Sequence, residues 1–429
     1  MTEAQTSSEV SRADELKSRV QNLEMQIMGR TTVEELSVPG WNIWEEKYKS
    51  DKSNLSGVVA HFGRRLTRDE LNTMIQGFID ANPQKSVEEK WVGPLDYSAG
   101  FGAIYKAPEE ATREEKDSAT FEVALKLAKD ALEQRGWKPD EVDIVDFANS
   151  AAINGMSKIL NDKLITDLGM REDIGITGTF MACDGAGNAL YRRLSDEESV
   201  GKKVLLLTVD SVGSELPLNP EYIDTNSMQL FSNGAAALTY VPGIDLKLLV
   251  GNTEVHEDSN GALAAVARYN DAIKEDDSLD PDEPTGLVRR IGNERMIQMP
   301  YPSNGGFLMN GSATAKFFLR HSLANVKSTV ADYKERFMDR IPNRTTSHEP
   351  SAKVLDGVEH ALAKAGINLN MRRRVPDGNS SGATSLISFN RQMSEFEPGE
   401  HVFYISYGAG GSFTSFIVEI GEKTSDLAA

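Results

Sequence analysis

Three residues of this chain carry side chains that together can transfer an acyl group: Cys183, His348 and Asn379. Cys183 is the only cysteine, and it lies between a strand-forming run at 174–180 and the small residues at 185–189. This pattern predicts a strand that ends in a sharp turn, with the cysteine at the start of a buried helix. The positive end of the helix dipole and its unpaired N–H groups favour a thiolate there. A lone cysteine is more often a buried structural residue, so the nucleophile hypothesis depends on the other two residues.

His348 ends a predicted strand at 345–348, and Asn379 lies in a D-G-N-S-S-G-A-T segment before a predicted helix at 382–393. A thiolate attacks a thioester to give an acyl-enzyme. An imidazole N–H and an amide N–H can then stabilise the oxyanion that forms when a second substrate loses CO2 or a proton. A single histidine or a turn asparagine is more often structural, whereas the three residues together favour catalysis. The glycine-rich loop at 408–412 is expected to bring a backbone N–H to the acyl carbonyl.

Other functions use similar residues. A cysteine hydrolase also needs Cys, His and Asn, but water must reach its acyl-enzyme. A catalytically silent partner subunit would normally lack one of the three, and all three are present. Within the acyltransferases, decarboxylative condensation and acyl transfer to an alcohol or amine, with His348 as the base, both remain open.

Composition excludes several classes of protein. A net charge of −19 over 429 residues argues against non-specific nucleic-acid binding. One cysteine excludes a disulfide framework and fits a reducing cytoplasm. We see no signal peptide, and no apolar run reaches the roughly 18 residues that span a bilayer. The six histidines are scattered, so neither a metal site nor a resident cofactor is predicted.

Predicted strands and helices alternate from about residue 55 to the C-terminus, which indicates an α/β fold with a mostly parallel sheet covered on both faces. The second half repeats the element order of the first, so we predict a duplicated fold with the site between its halves. The expected divisions are an N-terminal extension with one helix at 1–54, a first half with the nucleophile at 55–242, a second half with His348 and Asn379 at 243–429, and an inserted lid or surface loop at 257–300.

The N-terminal extension contains a predicted helix at 13–28 whose apolar residues are spaced like a packing seam. Packing on its own domain and contact with a second subunit explain this seam equally well. Trp41 and Trp44 follow among charged residues, which indicates a segment wrapped on the surface.

Five motifs, in this order, resemble the thiolase-like superfamily and, within it, β-ketoacyl-acyl-carrier-protein synthase III. They are A-C-D-G-A-G-N-A-L at 182–190, F-S-N-G-A-A-A at 231–237, H-E-P-S-A-K at 348–353, G-N-S-S-G-A-T at 378–384 and G-A-G-G-S-F-T at 408–414. Each motif alone is weak, but five in the family's order are specific. The resemblance covers about residue 55 to the C-terminus.

The resemblance implies a five-layer α-β-α-β-α fold, a homodimer and a Cys-His-Asn triad. Cys183 matches the nucleophile that becomes acylated, and His348 and Asn379 match the pair that binds the oxygen of a second thioester. The N–H groups of Cys183 and Gly411 match the other oxyanion hole. The implied activity is that of a synthase III-type acyltransferase in specialised lipid or polyketide metabolism.

Two further positions concern the acyl donor. Lys353 falls where the family places a basic residue for carrier-protein docking, and Trp91 falls where it has a tryptophan near the coenzyme A adenine. The implied partner is therefore an acyl carrier protein or a coenzyme A thioester. The arginine expected just after Trp91 is absent, because Val-Gly-Pro stands at 92–94.

Other departures point to a specialised relative. Asp184 follows the nucleophile where the family usually has alanine, and we expect its side chain to face solvent or an arginine. Glu349 and Pro350 follow His348 where the housekeeping enzymes carry glutamine and alanine. The extension at 1–54 and the insert at 257–300 are also atypical of the family.

Overall fold

Two β-sheets, one from each half of the chain, organise the computed structural model. It describes residues 3–88, 93–94, 100–150, 156–215, 225–256, 266–268, 274–275, 287–291, 295–299, 306–308, 311–338, 342–369, 371, 375–408 and 411–423.

The elements of the first half are α1 (Glu3–Met28), β1 (Thr32–Glu35), β2 (Asn42–Lys49), β3 (Ser56–Thr67), α2 (Arg68–Ala81), α3 (Pro83–Glu88), β4 (Ala103–Lys106), α4 (Arg113–Arg135), β5 (Ile144–Ala148), α5 (Met156–Leu168), β6 (Gly175–Thr179), α6 (Gly185–Ser195), β7 (Val204–Asp210), α7 (Thr225–Leu230) and β8 (Gly234–Tyr240). The described strands form one sheet in the order β1-β2-β3-β8-β7-β5-β6, and β4 pairs with β3.

The elements of the second half are β9 (Leu246–Val255), β10 (Val266–Arg268), β11 (Lys274–Glu275), β12 (Leu287–Ile291), β13 (Arg295–Met299), β14 (Gly306–Leu308), α8 (Gly311–Phe337), β15 (Arg344–Ser347), α9 (Ala352–Lys364), α10 (Ala383–Gln392), β16 (His401–Tyr407) and β17 (Ser412–Ile420). The sheet of this half has the order β15-β16-β17-β9. Strands β10 to β14 form two small antiparallel sheets, so the insert contains strands where we predicted only a lid or loop.

The two sheets repeat one topology. Strand β5 is parallel to β7, β7 is antiparallel to β8, and β8 is antiparallel to β3. In the second sheet β15 is parallel to β16, β16 is antiparallel to β17, and β17 is antiparallel to β9. Helix α6 precedes β7 and helix α10 precedes β16, so these helices are counterparts. The duplicated α/β fold is confirmed. The sheets are mixed, however, and the prediction of mostly parallel strands is wrong, because β8 starts at the end of the sheet where β7 finishes.

Three large apolar cores of the described residues lie between five layers, and a smaller fourth core lies at α2. The first core packs α4 against the first sheet, the second surrounds α6 and α10 between the sheets, and the third packs α8 and α9 against the second sheet. Representative side chains of the three cores, in that order, are Leu127 and Phe147, Leu190 and Leu386, and Leu355 and Ile417. The outer helices bury one apolar face each, whereas both sheets and the central helices bury apolar residues on two faces, which gives the α-β-α-β-α order.

Short sequence signals mark the start or the end of several helices. Thr67 and Glu70 form a reciprocal capping box at the start of α2. Helix α4 ends at Arg135, and its cap Gly136 adopts the left-handed conformation that favours glycine. These signals require only neighbouring residues, which explains why they could be read without tertiary structure.

The N-terminal region is an integral part of the first sheet, so the prediction of a surface-wrapped extension is wrong. Strand β2 pairs with β3 along its whole length, and both Trp41 and Trp44 are buried. Helix α1 packs on its own chain, where Glu24 pairs with Arg65. Strand β4 also pairs with β3. In each case, pairing with a neighbouring strand buries apolar side chains, and the local sequence does not indicate this burial.

Two buried carboxylates fasten the central helices. Asp210, at the end of β7, accepts a hydrogen bond from the Ala383 N–H at 3.0 Å and thereby caps α10. Asp184, just before α6, accepts from the hydroxyls of Ser412 and Thr414 in β17. The expectation that Asp184 faces solvent or an arginine is therefore wrong, because its side chain is buried and its Oδ2 accepts from two β17 hydroxyls.

Burial raises the pKa of Asp184 to about 6, and it raises the pKa of Asp210 likewise to about 6. An aspartate in the unfolded chain titrates near 4. Since the folded pKa is the higher one, each group's favourable contribution is complete below about pH 4 and is lost as the pH rises through about 6.

We predict that Asp184→Asn stabilises the protein more at pH 8 than at pH 5, by about 1.4 kcal/mol in the difference. Asparagine suits the site because its partners are hydroxyls, which can donate or accept. Urea unfolding at the two pH values measures this difference. The exposed Asp140→Asn variant is the control. The prediction would be contradicted if the free energy of unfolding changed with pH equally in the wild-type protein and in the Asp184→Asn variant.

Candidate active site

Cys183 lies in a tight turn between β6 and α6. A short 3-10 turn, Ala182–Asp184, leads directly into the helix, so the predicted position of the cysteine at a buried helix start is confirmed. Ala182 has a φ of 47°, a left-handed conformation that costs about 1–3 kcal/mol for a residue with a side chain. Close packing explains the small residues that follow, because a Cβ at Gly187 would lie 2.4 Å from the Cβ of Ser406.

Asn379 occupies the equivalent place in the second half, just before α10. Its Oδ1 accepts hydrogen bonds from the Ser381 N–H at 2.9 Å and from the Thr384 hydroxyl at 3.2 Å. Its backbone is clamped by bonds to Leu230 and Ser232 at 2.7 and 2.9 Å. These contacts fix the amide so that Nδ2 is the group left to donate, and no described residue accepts from it.

The two halves meet where these turns face each other. The Ser381 hydroxyl lies 3.2 Å from the Cys183 sulfur. A Cβ at Gly382 would lie 2.8 Å from the carbonyl oxygen of Ala182, so only glycine permits this approach. The structure therefore brings Cys183 and Asn379 together, with Ser381 between them.

His348 follows β15 and is fully buried. Its backbone N–H donates to Ile405 at 2.8 Å, and its ring stands edge-on to Tyr407 with centroids 5.1 Å apart. Neither ring nitrogen has a hydrogen-bond partner within the described part of the chain. Burial lowers the pKa of His348 to about 3, so the ring is neutral near pH 7 and offers one N–H donor.

Tyr407 links His348 to the nucleophile. Its hydroxyl donates to the His348 carbonyl at 3.4 Å. Burial raises the pKa of Tyr407, and Cys183 and Glu349 raise it further. Tyr407 had no role in the sequence-based prediction, although it directly precedes the glycine-rich loop.

Glu349 joins the His348 segment to α10. One carboxylate oxygen accepts from the Ser388 hydroxyl at 2.9 Å, and the other accepts from the Val375 N–H at 3.2 Å. The glutamate that departs from the housekeeping sequence is therefore a buried tie between the segments that carry His348 and Asn379.

The glycine-rich loop lies against the nucleophile turn. A Cβ at Gly408 would come within 2.5 Å of the Met181 carbonyl oxygen, so the close approach requires glycine. The Gly411 N–H donates to the Gly408 carbonyl at 3.0 Å. This N–H therefore serves its own turn, and its pairing with the Cys183 N–H in an oxyanion hole stays a prediction. Residues 409 and 410 lie outside the described part of the chain.

A buried ionic cluster holds the segment before Asn379. Arg391 donates to Asp377 at 2.8 Å and to Glu46 of β2 at 2.6 Å. His61 lies 3.4 Å from Asp377, and burial lowers the pKa of His61. Loss of one partner from such a cluster typically costs about 3–5 kcal/mol, because it leaves an uncompensated buried charge. The N-terminal region thus helps to position the site.

Two further predicted site residues concern the acyl donor. Lys353 is exposed in the first turn of α9. Trp91 falls outside the described residues. Over the described ranges, no three His, Cys, Asp or Glu side chains converge as metal ligands. The same part of the chain has no helix with the length and apolarity to cross a membrane.

Comparisons with known proteins agree on the fold. No protein-family model matches the chain. A hydroxymethylglutaryl-CoA synthase from Caldivirga maquilingensis is 22% identical over 314 residues, which cover 72% of this chain and 76% of that protein.

Two solved structures illustrate the likeness. The 3-oxoacyl-[acyl-carrier-protein] synthase III of Aquifex aeolicus superposes with a TM-score of 0.55 at 15% identity, covering 91% of this chain and 99% of its own. Germicidin synthase of Streptomyces coelicolor, a type III polyketide synthase, gives a TM-score of 0.61 at 14% identity, with 87% and 99% covered. The resemblance that the five motifs indicate is confirmed at the level of the fold: the chain has the thiolase-like fold of these synthases.

Proposed function

We propose that this protein is an acyltransferase of the β-ketoacyl synthase III type, acylated on Cys183 by an acyl thioester. The observation that supports this proposal most directly is that Cys183 and Asn379 lie together at the starts of the two central helices. Ser381 contacts both of them. His348 is neutral, its ring nitrogens have no partner among the described residues, and its ring contacts Tyr407. The names of the relatives, a coenzyme A-dependent synthase and a carrier-protein synthase, support a thioester of one of these two carriers as the donor.

In the first step the Cys183 thiolate attacks the thioester carbonyl carbon. A carbon–sulfur bond forms, and the carbonyl electron pair moves to oxygen. Collapse of this adduct restores the carbonyl and breaks the bond to the carrier thiolate, which takes up a proton. The position of Cys183 at the start of α6 supports this role, because the helix dipole favours negative charge there.

In the second step a malonyl thioester loses CO2 and leaves an enolate. The N–H groups of His348 and Asn379 stabilise its oxygen, its carbon attacks the acyl carbonyl, and Cys183 leaves as a thiolate. The product is a β-ketoacyl thioester. The low pKa of His348, about 3, makes its ring a weak base and a suitable neutral donor. This favours condensation over base-assisted acyl transfer to an alcohol or amine.

We also propose a homodimer formed through the first sheet. Strand β6 pairs with β5 on one side, and no described strand covers its other edge. Phe180 follows this strand and is 39% exposed. An uncovered edge next to an exposed aromatic ring is a suitable pairing surface for a second copy. The same strand leads into Cys183, so pairing would stabilise the nucleophile turn.

The first step predicts a covalent acyl adduct on Cys183. Incubation with a panel of acyl-CoA and acyl carrier protein thioesters should add the mass of one acyl group to the intact protein, and peptide mapping should locate it on Cys183. Cys183→Ala should show no adduct. A wild-type protein that remains unmodified by every donor in a broad panel would rule out the acyltransferase proposal.

The second step predicts a specific defect in Asn379→Asp. Aspartate keeps the oxygen that accepts from Ser381 and Thr384 but loses the N–H donor. Acylation of Cys183 should therefore persist, while condensation with a malonyl thioester slows by roughly 10²–10³-fold. Single-turnover acylation and product formation measure the two steps separately. Equal loss in both steps would show that Asn379 is structural.

The dimer proposal predicts that light scattering after gel filtration gives twice the chain mass. Phe180→Glu places like charges across the pairing surface and should shift the population towards monomer. Val200→Glu is the matched control, because Val200 is also exposed but lies outside the sheet edge. A monomeric wild-type protein, or a dimer that both variants leave intact, would refute this interface.

A further inference from the structure

Ser381 touches the nucleophile. Its hydroxyl oxygen lies 3.2 Å from the Cys183 sulfur, and both side chains are buried. At this distance the two groups share a hydrogen bond in which either can be the donor while the sulfur carries its proton. A thiolate can only accept, so the hydroxyl must then donate.

The backbone holds Ser381 in an unfavourable conformation. Its φ is 47°, the same left-handed value as that of Ala182 on the facing turn. Such residues persist where their surroundings determine the conformation, and they cluster at functional sites.

Two contacts fix this conformation. The Ser381 N–H donates to Asn379 Oδ1 at 2.9 Å. On its other side, Gly382 is pressed against Ala182 and is followed by the N–H that Asp210 caps. The strained backbone therefore aims the hydroxyl at the sulfur.

We propose that Ser381 is a further catalytic residue, whose hydroxyl donates a hydrogen bond to the Cys183 thiolate and lowers the pKa of the thiol. In the ionisation step the Cys183 S–H bond breaks, the proton goes to solvent, and the serine hydroxyl keeps its own proton. A hydrogen bond to a charged acceptor is stronger than one to a neutral acceptor, so the bond favours the ionised sulfur. The same bond stabilises the thiolate when it leaves in the condensation step.

This assignment gives Asn379 two separate tasks. Its Oδ1 positions Ser381 for the nucleophile, while its Nδ2 is the donor towards substrate. The inference rests on Cys183 being the nucleophile of the proposed function, but it concerns the free thiol and is testable without any acyl donor.

The test is the pH dependence of Cys183 alkylation by iodoacetamide, followed by intact mass. The single cysteine makes the readout specific. Ser381→Ala should raise the midpoint of the alkylation rate against pH by about one pH unit. At pH values below the midpoint, alkylation should be about tenfold slower than in the wild type. Ser380→Ala is the matched control, because Ser380 is an adjacent buried serine whose hydroxyl has no partner among the described residues. Its midpoint should equal that of the wild type.

A second variant separates the hydroxyl from the backbone. Ser381→Gly removes the hydroxyl but adopts a positive φ without strain, so it should show the same raised midpoint as Ser381→Ala. All variants should reach the wild-type limiting rate at high pH, which shows that the sulfur remains accessible.

Three results would overturn the proposal: an unchanged midpoint in Ser381→Ala, a wild-type midpoint in Ser381→Gly, or an equal shift in Ser380→Ala. The outcome is distinguishable from failure of the proposed function. A raised midpoint in a protein that accepts no acyl group supports the role of Ser381 and refutes the acyltransferase. An acyl adduct on Cys183, together with an unchanged midpoint in Ser381→Ala, supports the acyltransferase and refutes the role of Ser381.

Discussion

The contact between the starts of α6 and α10 is the constraint on which the rest of the structure depends. Each helix is the central element of one half, and each follows a turn that carries a functional side chain. Bringing the Ser381 hydroxyl within 3.2 Å of the Cys183 sulfur requires both sheets, with their outer helices, to hold the two helix starts together. The duplication of the fold matters for this reason: it directs two equivalent helix ends at one point.

Forming this contact is energetically unfavourable locally, and the surrounding structure offsets it. Ala182 and Ser381 both adopt left-handed backbone conformations. Asp184 and Asp210 are buried carboxylates whose pKa values are raised to about 6. Their hydrogen bonds to β17 and α10 hold the turns in place. The apolar core around α6 and α10 supplies the stabilising burial.

The electrostatic environment of the site distinguishes its residues from one another. Burial without a partner among the described residues leaves His348 neutral, whereas Arg391 keeps Asp377 charged within an ion pair. Glu46 in β2 completes that pair, so a segment that looked peripheral in the sequence stabilises the Asn379 turn. The ion pair of Arg391 therefore serves as scaffold, whereas the ring nitrogens of His348 have no partner among the described residues.

The sequence by itself determined the α/β class, the thiolase-like motifs and the position of Cys183 at a helix start. These depend on periodicity, caps and short motifs, which act over a few residues. Only the tertiary structure decided the mixed strand directions, the inward position of Asp184, the engagement of Gly411 in its own turn and the contact of Ser381 with Cys183. Each joins residues far apart in the chain, or depends on which donor a folded loop has already used, and no local pattern encodes that choice.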